Sequence, residues 1–146
     1  MRRWPLLILA LASCAPVPRV PDHLPEPRQT WARAAWVYDN RARVREGEAL
    51  LSRVVSVQIL ARPGMHSICP EPLGNCTVFH GGGEYTVFWN AMLGEDALCH
   101  ELLHILLDQA GTMERSEHHA WMLEHNAYYC DETISWYLAK EKSHDR

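Results

Sequence analysis

Ala97-Leu98-Cys99-His100-Glu101-Leu102-Leu103-His104-Ile105-Leu106-Leu107 decides the reading of this chain, because it sets three polar side chains into an otherwise apolar run. The run is apolar around nearly its whole circumference, which predicts a buried helix. At about 3.6 residues per turn, His100 and His104 differ by about 40° in azimuth, so both imidazoles leave one face. Buried there without partners, such groups would each cost on the order of 2 to 7 kcal/mol. A metal ion removes that cost, and two histidines one turn apart already supply half of the ligands that Zn²⁺ takes. Glu101 cannot share their coordination, but it lies beside the metal, where a carboxylate can accept the proton of a zinc-bound water whose pKa falls to about 7. The pattern thus predicts a zinc site with its own general base, the chemistry of metal-assisted peptide hydrolysis. The competing account is an ordinary amphipathic helix with both histidines on a solvated stripe.

A catalytic zinc usually has three protein ligands and one open position. Gly111 is placed to end the helix with a left-handed cap. Beyond it, Glu114-Arg115-Ser116-Glu117-His118-His119-Ala120-Trp121 opens a stretch of good helix formers without Pro or Gly, which predicts a long second helix to about Lys140. The third ligand should come from its start. Its candidates there are Glu117, His118 and His119. His125 returns to nearly the same face as His118, and Tyr128 and Tyr129 follow one turn on. Each of these three is a candidate donor to a tetrahedral oxyanion, set against packing or support of the metal ligands.

Upstream, Thr30 is suited to cap a helix through Trp31–Tyr38, and a charged helical piece can run from Arg41 to Arg53, with Gly47 as its weak point. Val54–Leu60 alternates and is β-branched, hence a strand. Thr77-Val78-Phe79 and Glu84–Trp89 are two more, joined through His80-Gly81-Gly82-Gly83 as a hairpin. This glycine run looks like the oxyanion loop of lipases, but no serine here has the nucleophile-elbow setting that such chemistry needs. The fold class expected is α+β: a small antiparallel sheet or hairpin packed on the buried helix, followed by the long C-terminal helix. Trp31, Trp36, Trp89, Trp121 and Trp136 are read first as core, while His23, His66 and His144 fall in segments where side chains are normally solvated.

The order of sheet, then H-E-x-x-H helix, resembles the zincin metallopeptidases over roughly Val54 to Tyr129. That resemblance implies a minimal zincin-like domain in which Glu101 activates a zinc-bound water, His100 and His104 bind the metal, and an edge strand holds an extended peptide or protein substrate. The step from His104 to His118, with Trp121 after it, resembles the layout of some small zincin-like bacterial proteins, which implies His118 as the favoured third ligand with Glu117 and His119 as alternatives. Glu117-His118-His119-Ala120 also resembles the E-x-x-A helix start of gluzincin-type regulators that use a glutamate. The alternative function, from another class, is a non-catalytic zinc protein with a structural or assembly role.

The start of the chain bears on location. Met1-Arg2-Arg3, the apolar Pro5–Leu11 and the small residues after it have the order of an export signal, with an apolar part too short to span a bilayer. Leu11-Ala12-Ser13-Cys14 resembles the lipobox of bacterial lipoproteins, which implies removal of residues 1–13, lipidation of Cys14 and anchoring in the cell envelope, with the outer membrane favoured by Ala15. Pro16, Pro18, Pro21, Pro25 and Pro27, out of 9 prolines in all, make residues 14–29 a semi-stiff tether. Residues 30–146 suffice for one core and not two. The 14 Lys and Arg against 18 Asp and Glu give a formal net charge of −4, so no basic nucleic-acid surface is expected.

Cys69, Cys76, Cys99 and Cys130 remain after Cys14, and an even number in an exported chain reads as two disulfides with three possible connectivities. The Pro and Gly between Cys69 and Cys76 suit a closed surface loop, which leaves Cys99 to pair with Cys130 and clamp the two helices together. Cys99 itself lies about 100° from His100 around the helix and points away from the metal face.

Overall fold

The computed structural model describes residues 16–70, 74–130 and 140. Among them the chain is α+β, with four α-helices and one three-stranded sheet: α1 (Arg28–Ala42), α2 (Gly47–Arg53), β1 (Ser56–Arg62), β2 (Cys76–Gly81), β3 (Glu84–Asn90), α3 (Glu95–Ala110) and α4 (His118–Glu124). Cys14, the export signal and most of the chain beyond Cys130, including Trp136 and His144, lie outside the described residues. Among the described residues no helix is long and apolar enough to cross a membrane.

α3 is the organising element. Leu98, Leu102, Leu103, Ile105, Leu106 and Leu107 are fully buried, each contributing roughly 1.5 to 3 kcal/mol of apolar transfer. As expected, Gly111 closes the helix in a left-handed conformation, with its amide bonded to the Leu107 carbonyl at 3.2 Å. α1 packs along α3 and is buried continuously from Thr30 to Asp39. It starts earlier than the Thr30 cap predicts: Glu26 Oε2 accepts from the Arg28 amide at 2.9 Å, and Thr30 is taken inside the first turn.

The helix expected over Arg41–Arg53 is instead divided. Arg43 turns left-handed and α2 begins at Gly47, whose added Cβ would meet the Ala35 carbonyl at 2.8 Å. Asp39 Oδ1 accepts from the Glu46 and Gly47 amides at 2.9 and 2.7 Å and ties the new helix start to α1. Gly47 is therefore a point of close helix approach rather than a weakness within one helix.

β2 and β3 form the expected hairpin, and Gly81, Gly82 and Gly83 all take positive φ in its turn. The Gly83 carbonyl then accepts from the Val55 amide at 2.9 Å, so the glycine run is a structural turn linked to the approach to β1. The sheet is not wholly antiparallel, however. Its order is β1-β3-β2, with β1 parallel to β3 from Ser56↔Glu84 to Arg62↔Asn90. The reason is burial: Tyr85 and Val87 of β3 are 3 % and 0 % exposed, so β3 takes the centre over α3, and the largely exposed β1 takes an edge.

Two further expectations are corrected. The long C-terminal helix is interrupted at His125, after which Asn126 and Cys130 adopt positive φ. Neither Gly nor Pro causes this. Ala127 and Cys130 are fully buried, Cys130 is bonded to Cys99, and its carbonyl accepts from Arg33 Nη2, so tertiary contacts draw the backbone inward and override helix propensity. The proline-rich stretch, for its part, lies against the body from Pro18 onward. Leu24 is buried, Trp31 Nε1 donates to the Pro25 carbonyl at 2.9 Å, and Arg28 Nη1 donates to the Pro21 carbonyl at 3.0 Å.

Both favoured cysteine pairs are present, Cys69–Cys76 on the loop before β2 and Cys99–Cys130 in the core. His66, expected in solvent, is buried in that loop with Nε2 2.9 Å from the Trp89 carbonyl, and His23 Nε2 is 2.7 Å from the Val54 carbonyl.

Candidate metal centre

His100 and His104 leave the same face of α3, with ring centroids 5.0 Å apart. The third histidine that reaches them is His119. Its Nε2 lies 3.2 Å from His100 Nε2 and 3.0 Å from His104 Nε2, and the three donor atoms all fall within 4.8 Å of one another. Two nitrogens bound tetrahedrally to one zinc at 2.0–2.1 Å stand about 3.3 Å apart, close to these separations.

The outer nitrogens support the same arrangement. His100 Nδ1 is 2.5 Å from the Tyr128 carbonyl, which can only accept, so Nδ1 carries the proton and Nε2 presents its lone pair to the cluster. Burial, reinforced by the neighbouring His100, His119 and His118 rings, pushes His104 from 6.5 down to about 2, so its ring stays neutral and able to donate to a metal. Three imidazole nitrogens facing one another satisfy few of one another's hydrogen-bonding needs; a divalent ion among them satisfies all three. The residues present therefore fit a zinc ion.

His118, favoured as the third ligand from sequence, is not in this group. It is fully buried, with Nδ1 3.1 Å from His104 Nδ1, on the side of that ring opposite the cluster, and with the Phe79 ring edge-on at 6.1 Å. Adjacent residues on a helix are separated by about 100°, so His118 and His119 cannot both face the same ion from α4. Which one does is set by how α4 docks. Glu117 is not in the group either: its carboxylate accepts from the Glu114 amide at 2.8 Å, completing a capping box at the 3₁₀ turn before α4.

Glu101 is 6 % exposed, and its Oε2 accepts from Thr77 Oγ1 of β2 at 2.7 Å. Thr77 thus ties the general-base candidate to the sheet, a contact between segments far apart in sequence that no local pattern announces. Tyr128 stands at the rim, its ring 4.6 Å from His100 and 5.3 Å from His119. Tyr129 is 70 % exposed and stacks edge-on against Tyr128. His125 turns elsewhere, lying flat on Trp121 at 4.2 Å with Nδ1 2.8 Å from the Trp121 carbonyl. Of the three oxyanion candidates, Tyr128 alone has its ring against the cluster histidines.

The far end of α3 is held by a polar network. Tyr85 donates to Asp108 Oδ2 at 2.6 Å, Gln109 donates to the Tyr85 hydroxyl at 2.6 Å, and Arg115 Nε bonds Asp108 Oδ1 at 2.9 Å while its guanidinium lies 4.3 Å over Phe79. Arg115 opens the 3₁₀ turn that leads into α4, so this network helps to dock the element that carries His118 and His119. Burial and the bond to Asp108 push the Tyr85 phenol above its ordinary 10.0.

Comparison with profiles of known protein families, with curated proteins and with solved structures found no match for this chain.

Proposed function

We propose that this protein is a zincin-like, zinc-dependent hydrolase of peptide bonds, with His100, His104 and His119 as the metal's protein ligands. The observation that carries the reading is the convergence of three imidazole nitrogens within 4.8 Å beside a buried glutamate on the same helix. When bound there, zinc supplies Lewis acidity and lowers the pKa of water at its open position.

Every other role falls to the chain. Glu101 accepts the proton from the attacking water and passes it to the leaving amine, and Thr77 holds its carboxylate in place. The Tyr128 carbonyl orients His100, while the Tyr128 ring shields one side of the site. β2 is an edge strand among the described residues and carries Thr77, so its outer backbone groups suit an extended peptide laid beside Glu101. The export signal and Leu11-Ala12-Ser13-Cys14 support the companion proposal that the protein works as a lipoprotein of the cell envelope; mass measurement of the mature N-terminus should find a lipid-modified Cys14.

The test is zinc content and cleavage of an unfolded protein substrate, compared between the wild type and Glu101→Gln. Wild-type protein with one zinc and measurable cleavage, against a variant with one zinc and almost none, is the expected result. Equal cleavage by both proteins would overturn the role of Glu101. Zinc without any cleavage would convert the reading to a structural or assembly protein.

A further inference from the structure

His118 and His119 are sequence neighbours with opposite surroundings. His119 Nε2 meets the Nε2 atoms of His100 and His104, whereas His118 is fully buried and touches His104 from behind, Nδ1 to Nδ1 at 3.1 Å with ring centroids 5.3 Å apart. The other nitrogen of His118, Nε2, is buried and has no hydrogen-bond partner among the described residues.

Proton placement on these rings is constrained. A histidine that ligates through Nε2 keeps its proton on Nδ1, and that N–H needs an acceptor to fix the ring. For His100 the acceptor is the Tyr128 carbonyl. For His104 the atom in the corresponding place is His118 Nδ1. We propose that His118 is a positioning residue of the metal site: its Nδ1 accepts the Nδ1 proton of His104 and holds that ligand in the tautomer and orientation that aim Nε2 at the ion.

The inference rests on the zinc reading above and adds to it that the two histidines at the start of α4 divide the work, one binding and one bracing. If His118 Nδ1 accepts, its own proton must be on Nε2, which is buried without a partner among the described residues, a cost that the bond to His104 has to offset. A residue retained for packing alone would have no need of either nitrogen.

Three variants of the full mature protein, His118→Leu, His118→Gln and His119→Ala, separate these roles. Zinc affinity is read by chelator competition, ligand number by the absorption spectrum of the cobalt-substituted protein, and imidazole tautomers by ¹⁵N NMR of the zinc-loaded wild type. His118→Leu should still bind one ion with an unchanged cobalt spectrum but about 10- to 100-fold more weakly. His118→Gln should recover part of that loss, because its amide oxygen can accept. In the wild type His104 should carry its proton on Nδ1 and His118 on Nε2; this measurement needs no variant to fold. Wild-type affinity in His118→Leu, a loss as complete as in His119→Ala, or a His118 proton on Nδ1 would each overturn the inference while leaving zinc binding intact. Wild-type protein that takes up no zinc would instead sink the metal reading itself, and this inference with it.

Discussion

α3 and the segment from Arg115 to Cys130 both carry histidines of the candidate centre, yet they were built by different forces. In α3 the helical period alone puts His100 and His104 on one face, and an apolar sequence holds the helix in the core. In the later segment the same period offers His118 or His119 and cannot choose between them. The choice is made by contacts that join this segment to α3: Arg115 to Asp108, Cys130 to Cys99, and the Tyr128 carbonyl to His100. A ligand pair on one helix is a local property, while the third ligand is a property of docking.

The sharpest way to break this comparison is Glu101→Gln, which alters the α3 half of the site alone. Turnover of a protein substrate should fall about 10²- to 10⁴-fold with zinc content unchanged, measured by initial rates and elemental analysis on the same preparation. Metal removal probes the join between the two regions. At zinc about 1,000-fold above its dissociation constant, binding to the native state alone stabilises it by about 4 kcal/mol, so chelation should lower the denaturant midpoint by that equivalent. His119→Ala should abolish most of this zinc-dependent increment; an increment as large as in the wild type would remove His119 from the ligand set.

The two disulfides sharpen the contrast further. Cys99–Cys130 spans 31 residues and Cys69–Cys76 spans 7, so the chain-entropy relation assigns about 3.7 and about 2.4 kcal/mol to them. Replacing Cys99 and Cys130 by alanine should therefore cost more in urea denaturation than replacing Cys69 and Cys76. It should also weaken zinc binding, because the Tyr128 carbonyl lies two residues from the clamp. The reverse order of costs would show that the later segment docks without its bridge.

The smallest expected effect lies in the network at the end of α3. The Tyr85 phenol is raised above 10.0 in the folded protein, so its contribution is fully present below pH 10 and is lost as pH rises above that value, where the unfolded chain gives up the proton first. Between pH 9 and pH 11 the wild type should lose about 1.4 kcal/mol more stability than Tyr85→Phe. Parallel urea titrations at the two pH values would check this, and equal losses would exclude Tyr85 as the titrating group.

Much of the fold was legible because its signals are local. The buried α3 helix, its Gly111 cap, the β2–β3 hairpin and the two cysteine pairs follow from periodicity, turn chemistry and loop length. What escaped was non-local. β1 could not be known to lie parallel to β3, since a strand pattern does not state its neighbour. Helix propensity ran on past His125, where burial of Ala127 and Cys130 turns the chain aside. The capping box that engages Glu117, and the turn of α4 that puts His119 rather than His118 beside His100 and His104, both depend on how the segment docks.

From its sequence alone this protein has a buried helix with two histidines and a glutamate at a spacing that suits a metal ion, because about 3.6 residues per turn is a constraint the backbone imposes wherever the helix forms. Tertiary structure alone decided that His119 faces that pair and His118 stands behind it. Neighbouring side chains on a helix diverge by about 100°, and only the packing of one element against another says which of the two directions points at the site.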